Sequence, residues 1–302
     1  MELKKLAALV KKGDRVALAK GITLAENDPR AGPGLLAFLG PPGRAFVVGI
    51  TGPPGTGKSS LVDRLIESYR SKGLKVGVIA VDPTSPITGG ALLGDRIRMT
   101  SHAEDRSVFI RSMASRGWSG GLSRSTTQVI RLMDAAGYDL ILLETVGIGQ
   151  SDIEVVGVAH AVLVVLMPGL GDDIQVSKAG LMEVGDIYAV NKSDLEGADL
   201  MVVNLLSVFR GSPRSPPVLK VSAISGEGIQ TLTDAIESIR SKFAKGDRAL
   251  RLKSIRGMVV ETARGAALQK FADVSEESAD RLAQQVMDGK VTVEAAAAKL
   301  AR

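Results

Sequence analysis

Phe46-Val-Val-Gly-Ile-Thr-Gly-Pro-Pro-Gly-Thr-Gly-Lys-Ser-Ser60 decides how the rest of the chain is read. Val47, Val48 and Ile50 make a β-branched apolar run that breaks at a glycine-rich turn, and a helical pattern restarts at Leu61-Val62-Asp63-Arg64-Leu65-Ile66. From Gly52 to Ser59 the turn spells G-x-x-x-x-G-K-[ST], a phosphate-binding loop. Gly52, Gly55 and Gly57 let the backbone curl around a phosphate at a helix N-terminus. The predicted binding stretch is Gly52, Pro53, Pro54, Gly55, Thr56, Gly57, Lys58, Ser59 and Ser60. Lys58 is expected to reach the β- and γ-phosphate oxygens, and the Ser59 hydroxyl to hold Mg²⁺. A glycine turn can match this spacing by chance, but a strand before it and a helix after it argue for a nucleotide site.

Working outward, strands and helices alternate. Strands are predicted over 75–81, 107–111, 139–144, 161–167, 186–191 and 217–221, with helices over 58–72, 122–136, 195–209 and 228–243. The strand runs are almost continuously apolar, as parallel strands covered on both faces require. The fold class is therefore α/β: a doubly wound, mostly parallel sheet with its ligand at the carboxyl ends of the strands. Residues 2–27 read as two short helices broken at Gly13-Asp14, residues 28–34 as a linker, and everything after about residue 245 as helices. The expected division is an N-terminal helical extension (1–43), a nucleotide-binding domain (44–244) and a C-terminal helical region (245–302).

Composition excludes several classes. A chain of 302 residues, 45% hydrophobic and without cysteine, has neither a disulfide framework nor a thiolate metal site. No apolar run approaches a membrane span and the N-terminus lacks a signal-peptide core, so the expected location is cytoplasmic, with no membrane contact. The net charge of +5 is spread among acids, with few aromatics to stack bases, so no nucleic acid is expected.

The base and the metal come from later strand ends. Asn191-Lys192-Ser193-Asp194 is the N-K-x-D pattern of guanine recognition. An aspartate carboxylate accepts from guanine N1–H and the N2 amino group, and adenine offers neither arrangement. The next strand runs into Val221-Ser222-Ala223-Ile224, like the loop that offers a backbone N–H to guanine O6. Three motifs in order, each at a strand end, point to GTP/GDP. For Mg²⁺ and the attacking water the candidates are Asp82, Asp95 and Glu144, which with Lys58 make the predicted catalytic set. Helix or turn capping is the plain alternative for Asp82 and Asp95. Glu144 opens Glu144-Thr-Val-Gly147, where Gly147 would give its N–H to the γ-phosphate. Ile148 stands where a water-orienting glutamine is common and Gln150 lies two residues further on, so intrinsic hydrolysis is expected to be slow and open to stimulation by a partner.

Several segments name a family. Val81-Asp-Pro-Thr-Ser-Pro86, Gly89-Gly-Ala-Leu-Leu-Gly-Asp-Arg-Ile-Arg-Met99, Phe109-Ile-Arg-Ser-Met-Ala-Ser-Arg-Gly117, Glu144-Thr-Val-Gly-Ile-Gly-Gln-Ser-Asp152 and Pro168-Gly-Leu-Gly-Asp-Asp-Ile-Gln-Val-Ser-Lys-Ala-Gly180 resemble the MeaB/ArgK GTPases. The resemblance covers nearly the whole chain. It implies a SIMIBI-class P-loop GTPase with helical extensions at both ends. It implies a chaperone for an adenosylcobalamin-dependent acyl-CoA mutase, gating cofactor loading and removal of damaged cofactor. It also implies switches over 82–99, 145–154 and 169–178, with Asp172 and Lys178 as signalling candidates, and a homodimer formed through 245–302. A nickel-insertion GTPase would want a His/Cys cluster, and His102 and His160 are the chain's two histidines. A transport-associated lysine/arginine/ornithine kinase finds no acceptor site or membrane segment here. A membrane-surface ATPase of the MinD kind would carry lysine where Pro53 stands and would lack N-K-x-D.

Overall fold

Each apolar run forms a strand because its side chains alternate between two buried faces. The computed structural model describes residues 2–28, 31–82, 102, 104–114, 125–145, 157–169, 180–210, 215–272 and 276–300. The strands are β1 (Phe46–Thr51), β2 (Val76–Asp82), β3 (Val108–Ala114), β4 (Leu140–Glu144), β5 (Ala161–Leu166), β6 (Ile187–Val190) and β7 (Val218–Lys220). They form one sheet in the order β3-β2-β4-β1-β5-β6-β7, with every pairing parallel. β1 lies between β4 and β5, so the order turns at the strand that feeds the glycine loop. In doubly wound sheets that turning point opens a ligand crevice at the carboxyl ends.

On one face Phe46, Val48 and Ile50 pack with Leu61, Leu65 and Tyr69 of α4 (Lys58–Ser71) and with Ile236 of a later helix, residues 229–244. On the other, Val47, Leu143 and Val162 pack with the N-terminal helices and with α5 (Thr126–Ala135). Those N-terminal helices are α1 (Leu3–Lys11) and α2 (Arg15–Asn27), broken at Gly13-Asp14 as expected. The Asp14 carboxylate accepts from the Ala17 N–H at 2.7 Å and starts α2. Leu6, Val10, Leu18 and Ile22 are fully buried.

The predicted linker over 28–34 is in part a helix, α3 (Ala31–Leu36). The Asp28 carboxylate caps it by accepting from the Ala31 N–H at 2.9 Å. Pro33 falls in the first turn, where a missing N–H costs no intrahelical bond. Leu35, fully buried, holds the turn against the core. The remaining described helices are α6 (Leu181–Val184), α7 (Ala198–Phe209), α8 (Ile229–Ala244), α9 (Arg248–Ala272), α10 (Glu276–Met287) and α11 (Val293–Leu300). Among the described residues no helix is long and apolar enough to cross a membrane.

The chain divides into two units, Met1–Met258 and Val259–Arg302. In the first, the opening turns of α9 are held by the Ser254 hydroxyl, which donates to the Val158 carbonyl at 2.9 Å. Gly257 lies so close to Gly157 that a Cβ there would strike the Gly157 carbonyl oxygen. In the second, α10 packs on α11, Ala296 is buried, and the Thr292 hydroxyl accepts from the Ala295 N–H.

His160 marks the amino end of the sheet. Its ring stacks on Phe46 with centroids 5.4 Å apart and lies 4.2 Å from the Phe243 ring. Its Nδ1 accepts the Val47 N–H at 2.9 Å, which requires the neutral ring. Burial, helped by Lys253 and Arg251, lowers its pKa from 6.5 to about 4. Because the folded value lies below the unfolded one, this stabilisation is complete above about pH 6.5 and is lost as pH falls toward 4. Wild type is expected to lose about 3 kcal/mol more than His160→Asn between pH 7 and pH 4, read from urea unfolding. Equal pH slopes for the two proteins would contradict the assignment.

Candidate functional site

The carboxyl ends of β1, β4 and β6 bring the predicted motifs together. After β1 the chain turns at Gly52 with φ of +140°, and a Cβ there would strike the Val165 carbonyl oxygen of β5. Gly57, with φ of +86°, is the N-cap of α4, and a Cβ there would strike Asn191 Nδ2. Any side chain at either position is strained, for a steric and a conformational reason at once. Between them the Thr56 hydroxyl donates to the Pro53 carbonyl at 2.9 Å, while Pro54 and Gly55 are exposed. Lys58 is buried, and its ammonium donates to the Gly52 and Pro53 carbonyls at 2.9 and 3.2 Å. Lys58, Ser59 and Ser60 form the first turn of α4, so the positive end of the helix dipole faces the loop.

Glu144 ends β4 in register with Ile50 of β1, and it is buried. Its Oε1 accepts the Ser59 hydroxyl at 2.7 Å. Two oxygen donors, one anionic, stand together beside the glycine loop, and such a pair suits a hard cation such as Mg²⁺. Asp82 ends β2 next in the sheet, where Ala80 is in register with Glu144. Asp95, Gly147, Ile148, Gln150, Asp172 and Lys178 lie outside the described residues.

The N-K-x-D turn is locked to both neighbours. The Asn191 amide donates through Nδ2 to the Thr56 carbonyl at 2.8 Å, and its Oδ1 accepts the Ala223 N–H at 3.1 Å. One buried side chain thus joins the glycine loop to the 222–224 loop. Asp194 accepts the Ser222 hydroxyl through Oδ1 at 2.7 Å, which orients an otherwise exposed carboxylate. Lys192 between them has φ of +57°, the one positive value among the described non-glycine residues. Such a conformation costs about 1–3 kcal/mol and persists where the surroundings impose it. Here the Ser193 N–H donates to the Val221 carbonyl at 3.0 Å and the Leu195 N–H to the Lys192 carbonyl at 2.9 Å.

Arg64 is a part of this assembly that the sequence did not single out. From α4 its Nε donates to the Ala223 carbonyl at 2.7 Å and its Nη2 to the Ile224 carbonyl at 2.9 Å. The helix that begins at the glycine loop therefore also supports the 222–224 loop. No local signal finds this residue, because its partners lie 159 and 160 positions away.

Comparison with known proteins agrees with this architecture. The family model described as methylmalonyl Co-A mutase-associated GTPase MeaB matches residues 18–275. The GTPase ArgK of Escherichia coli is 37% identical over 257 residues, covering 81% of this chain and 78% of that protein. A Pyrococcus horikoshii protein named as a GTPase is 46% identical over 282 residues, covering 88% of this chain and 89% of its own length. The mouse methylmalonic aciduria type A homolog, a mitochondrial protein, is 34% identical over 80% of this chain and 64% of its own length. Among solved structures, a LAO/AO transport system kinase aligns over 99% of this chain and 96% of its own, at 26% identity and a TM-score of 0.70. A phosphate loop, an N-K-x-D turn and a family match running from α2 past the end of α9 agree: this chain belongs to the MeaB family of GTPases.

Proposed function

We propose that this chain binds GTP and GDP across the three joined loops and uses slow GTP hydrolysis to assist an adenosylcobalamin-dependent acyl-CoA mutase. The observation that carries the nucleotide part is the Asn191 amide, which sets the phosphate loop and the base loop at one fixed separation. In this reading Lys58 and the 52–60 backbone bind the phosphates, and Asp194 with the 222–224 loop binds guanine. Ser59 and Glu144, with Asp82 and Asp95, would hold a Mg²⁺ that neutralises charge building on the phosphate oxygens. Gly147 would orient the γ-phosphate. Hydrolysis then depends on positioning and charge stabilisation rather than on a side-chain base.

The mutase part rests on the description of the matched family and on the mouse relative's name. Loading or clearing the mutase cofactor is the role proposed for the nucleotide cycle, with the segments around Asp172 and Lys178 carrying the signal. Residues 245–302 are proposed as a helical region that makes a homodimer. In support, Leu252, Val259 and Val260 of α9 and Met287 of α10 are exposed apolar side chains.

The test is GTP turnover by the purified chain alone and with an adenosylcobalamin-dependent mutase of the same source. Slow turnover that rises at least about tenfold with the mutase is expected, a floor well below the about 10³–10⁵-fold that a partner-supplied arginine gives other GTPases. Turnover indifferent to the mutase, with no complex by size exclusion, would leave a guanine nucleotide hydrolase with a different partner.

A further inference from the structure

We propose a second metal site, independent of the mutase reading, formed by Asp63, Glu67 and His102 and selective for a first-row dication of the Zn²⁺ type. Asp63 and Glu67 lie four residues apart on α4 and so share one face of the helix. His102 approaches that face from just before β3. One ligand atom from each of the three lies within 4.8 Å of the others. The set shares no residue with the Ser59–Glu144 pair.

Two observations point to a cation rather than to an ordinary ion pair. Like charges four apart on a helix repel, so Asp63 and Glu67 together need positive charge near them. Arg64 supplies some at Glu67 Oε2, 3.1 Å away, and His102 Nε2 lies 2.9 Å from Asp63 Oδ1, so both carboxylates and the imidazole converge on one place. The second observation is His102 itself. Its side chain is only 12% exposed, and its Nε2 stands 2.9 Å from Asp63 Oδ1. That nitrogen nevertheless makes no hydrogen bond among the described residues. A buried imidazole nitrogen without a hydrogen bond, grouped with two carboxylates, is the arrangement of a ligand. Two donors at about 2.0–2.2 Å on a tetrahedral cation stand about 3.4 Å apart. His102 Nε2 and Asp63 Oδ1 are 2.9 Å apart, and all three ligand atoms lie within 4.8 Å of one another, so small side-chain adjustments bring them onto one ion.

The donor set chooses the metal. One imidazole nitrogen and two carboxylate oxygens suit Zn²⁺, Co²⁺ or Ni²⁺, whereas Mg²⁺ prefers oxygen alone. Three protein ligands leave one tetrahedral position for water. A cation here would join α4, which begins at the phosphate loop, to the entry of β3.

The chain offers an unusually clean test, since it has two histidines and no cysteine. His160 is packed between Phe46 and Phe243 with Nδ1 engaged, so an imidazole-dependent signal reports His102. ZnCl₂ is titrated calorimetrically into tag-free, full-length protein already saturated with Mg²⁺ and GDP. CoCl₂ serves as the optical probe. One saturable Zn²⁺ per chain is expected, with Co²⁺ showing visible bands of tetrahedral intensity. His102→Ala and Glu67→Gln should each weaken Zn²⁺ at least about tenfold and abolish those bands. Glu67 is exposed, so Glu67→Gln should keep the metal-free melting temperature of wild type and separates ligation from folding. Absence of saturable Zn²⁺ binding, or binding unchanged in both variants, overturns the proposal.

Discussion

Asp194→Asn is expected to lower GTP and GDP affinity by at least about a hundredfold, near 3 kcal/mol, and to raise affinity for the xanthosine nucleotides. The carboxylate would accept two hydrogen bonds from guanine, from N1–H and the N2 amino group. Hydrogen bonds to a charged group contribute about 1.5–3 kcal/mol each. An amide at this position can accept one of them but turns an N–H toward the other donor. Xanthine replaces the amino group with a carbonyl, which accepts from that N–H. The fold should be indifferent to the change. Asn Oδ1 can still accept the Ser222 hydroxyl that Asp194 accepts at 2.7 Å, and the side chain is exposed. Titration with fluorescent GDP and XDP at fixed Mg²⁺ checks both halves. Unchanged GDP affinity would remove Asp194 from the base site.

Much of the sheet is legible in the sequence because parallel strands buried on both faces need nothing but apolar side chains. Ala161-Val-Leu-Val-Val-Leu166 is entirely buried and could be placed from composition alone. α3 was not legible, for the opposite reason. Ala31-Gly32-Pro33-Gly34 has the composition of a turn, and its helix depends on a cap from Asp28 and on Leu35 reaching the core. Propensity is a weak prior where burial and capping oppose it.

The site divides in the same way. Motifs that act within one turn, from Gly52 to Ser59 and from Asn191 to Asp194, can be read locally. Contacts across the fold cannot. The Arg64 bonds to the 223 and 224 carbonyls and the approach of His102 to Asp63 exist only because the sheet order brings distant strand ends together. Asn191 shows both behaviours. Its place in N-K-x-D marks it as a base-site residue, while its hydrogen bonds give it a positioning role between two loops.

That role makes Asn191→Ala the more damaging substitution, and in a different way from Asp194→Asn. Removing the amide leaves the Thr56 carbonyl and the Ala223 N–H without the bonds now made at 2.8 and 3.1 Å. Each buried group stranded in this way costs about 1–3 kcal/mol, so unfolding stability is expected to fall by about 2–6 kcal/mol. Gly57 gives a second reason. Its α-carbon packs so tightly on Asn191 Nδ2 that no side chain fits between them, and truncation opens a space beside the N-cap of α4. Phosphate and base loops would then move independently, and affinity should fall for GTP, GDP and XDP alike. A base-contact residue would instead show nucleotide-dependent loss with stability preserved. Urea unfolding and the same fluorescent titrations, run on Asn191→Ala beside Asp194→Asn, separate the two. If Asn191→Ala kept wild-type stability, or if XDP restored its binding, Asn191 would belong to base recognition and the two loops would be held together by Arg64.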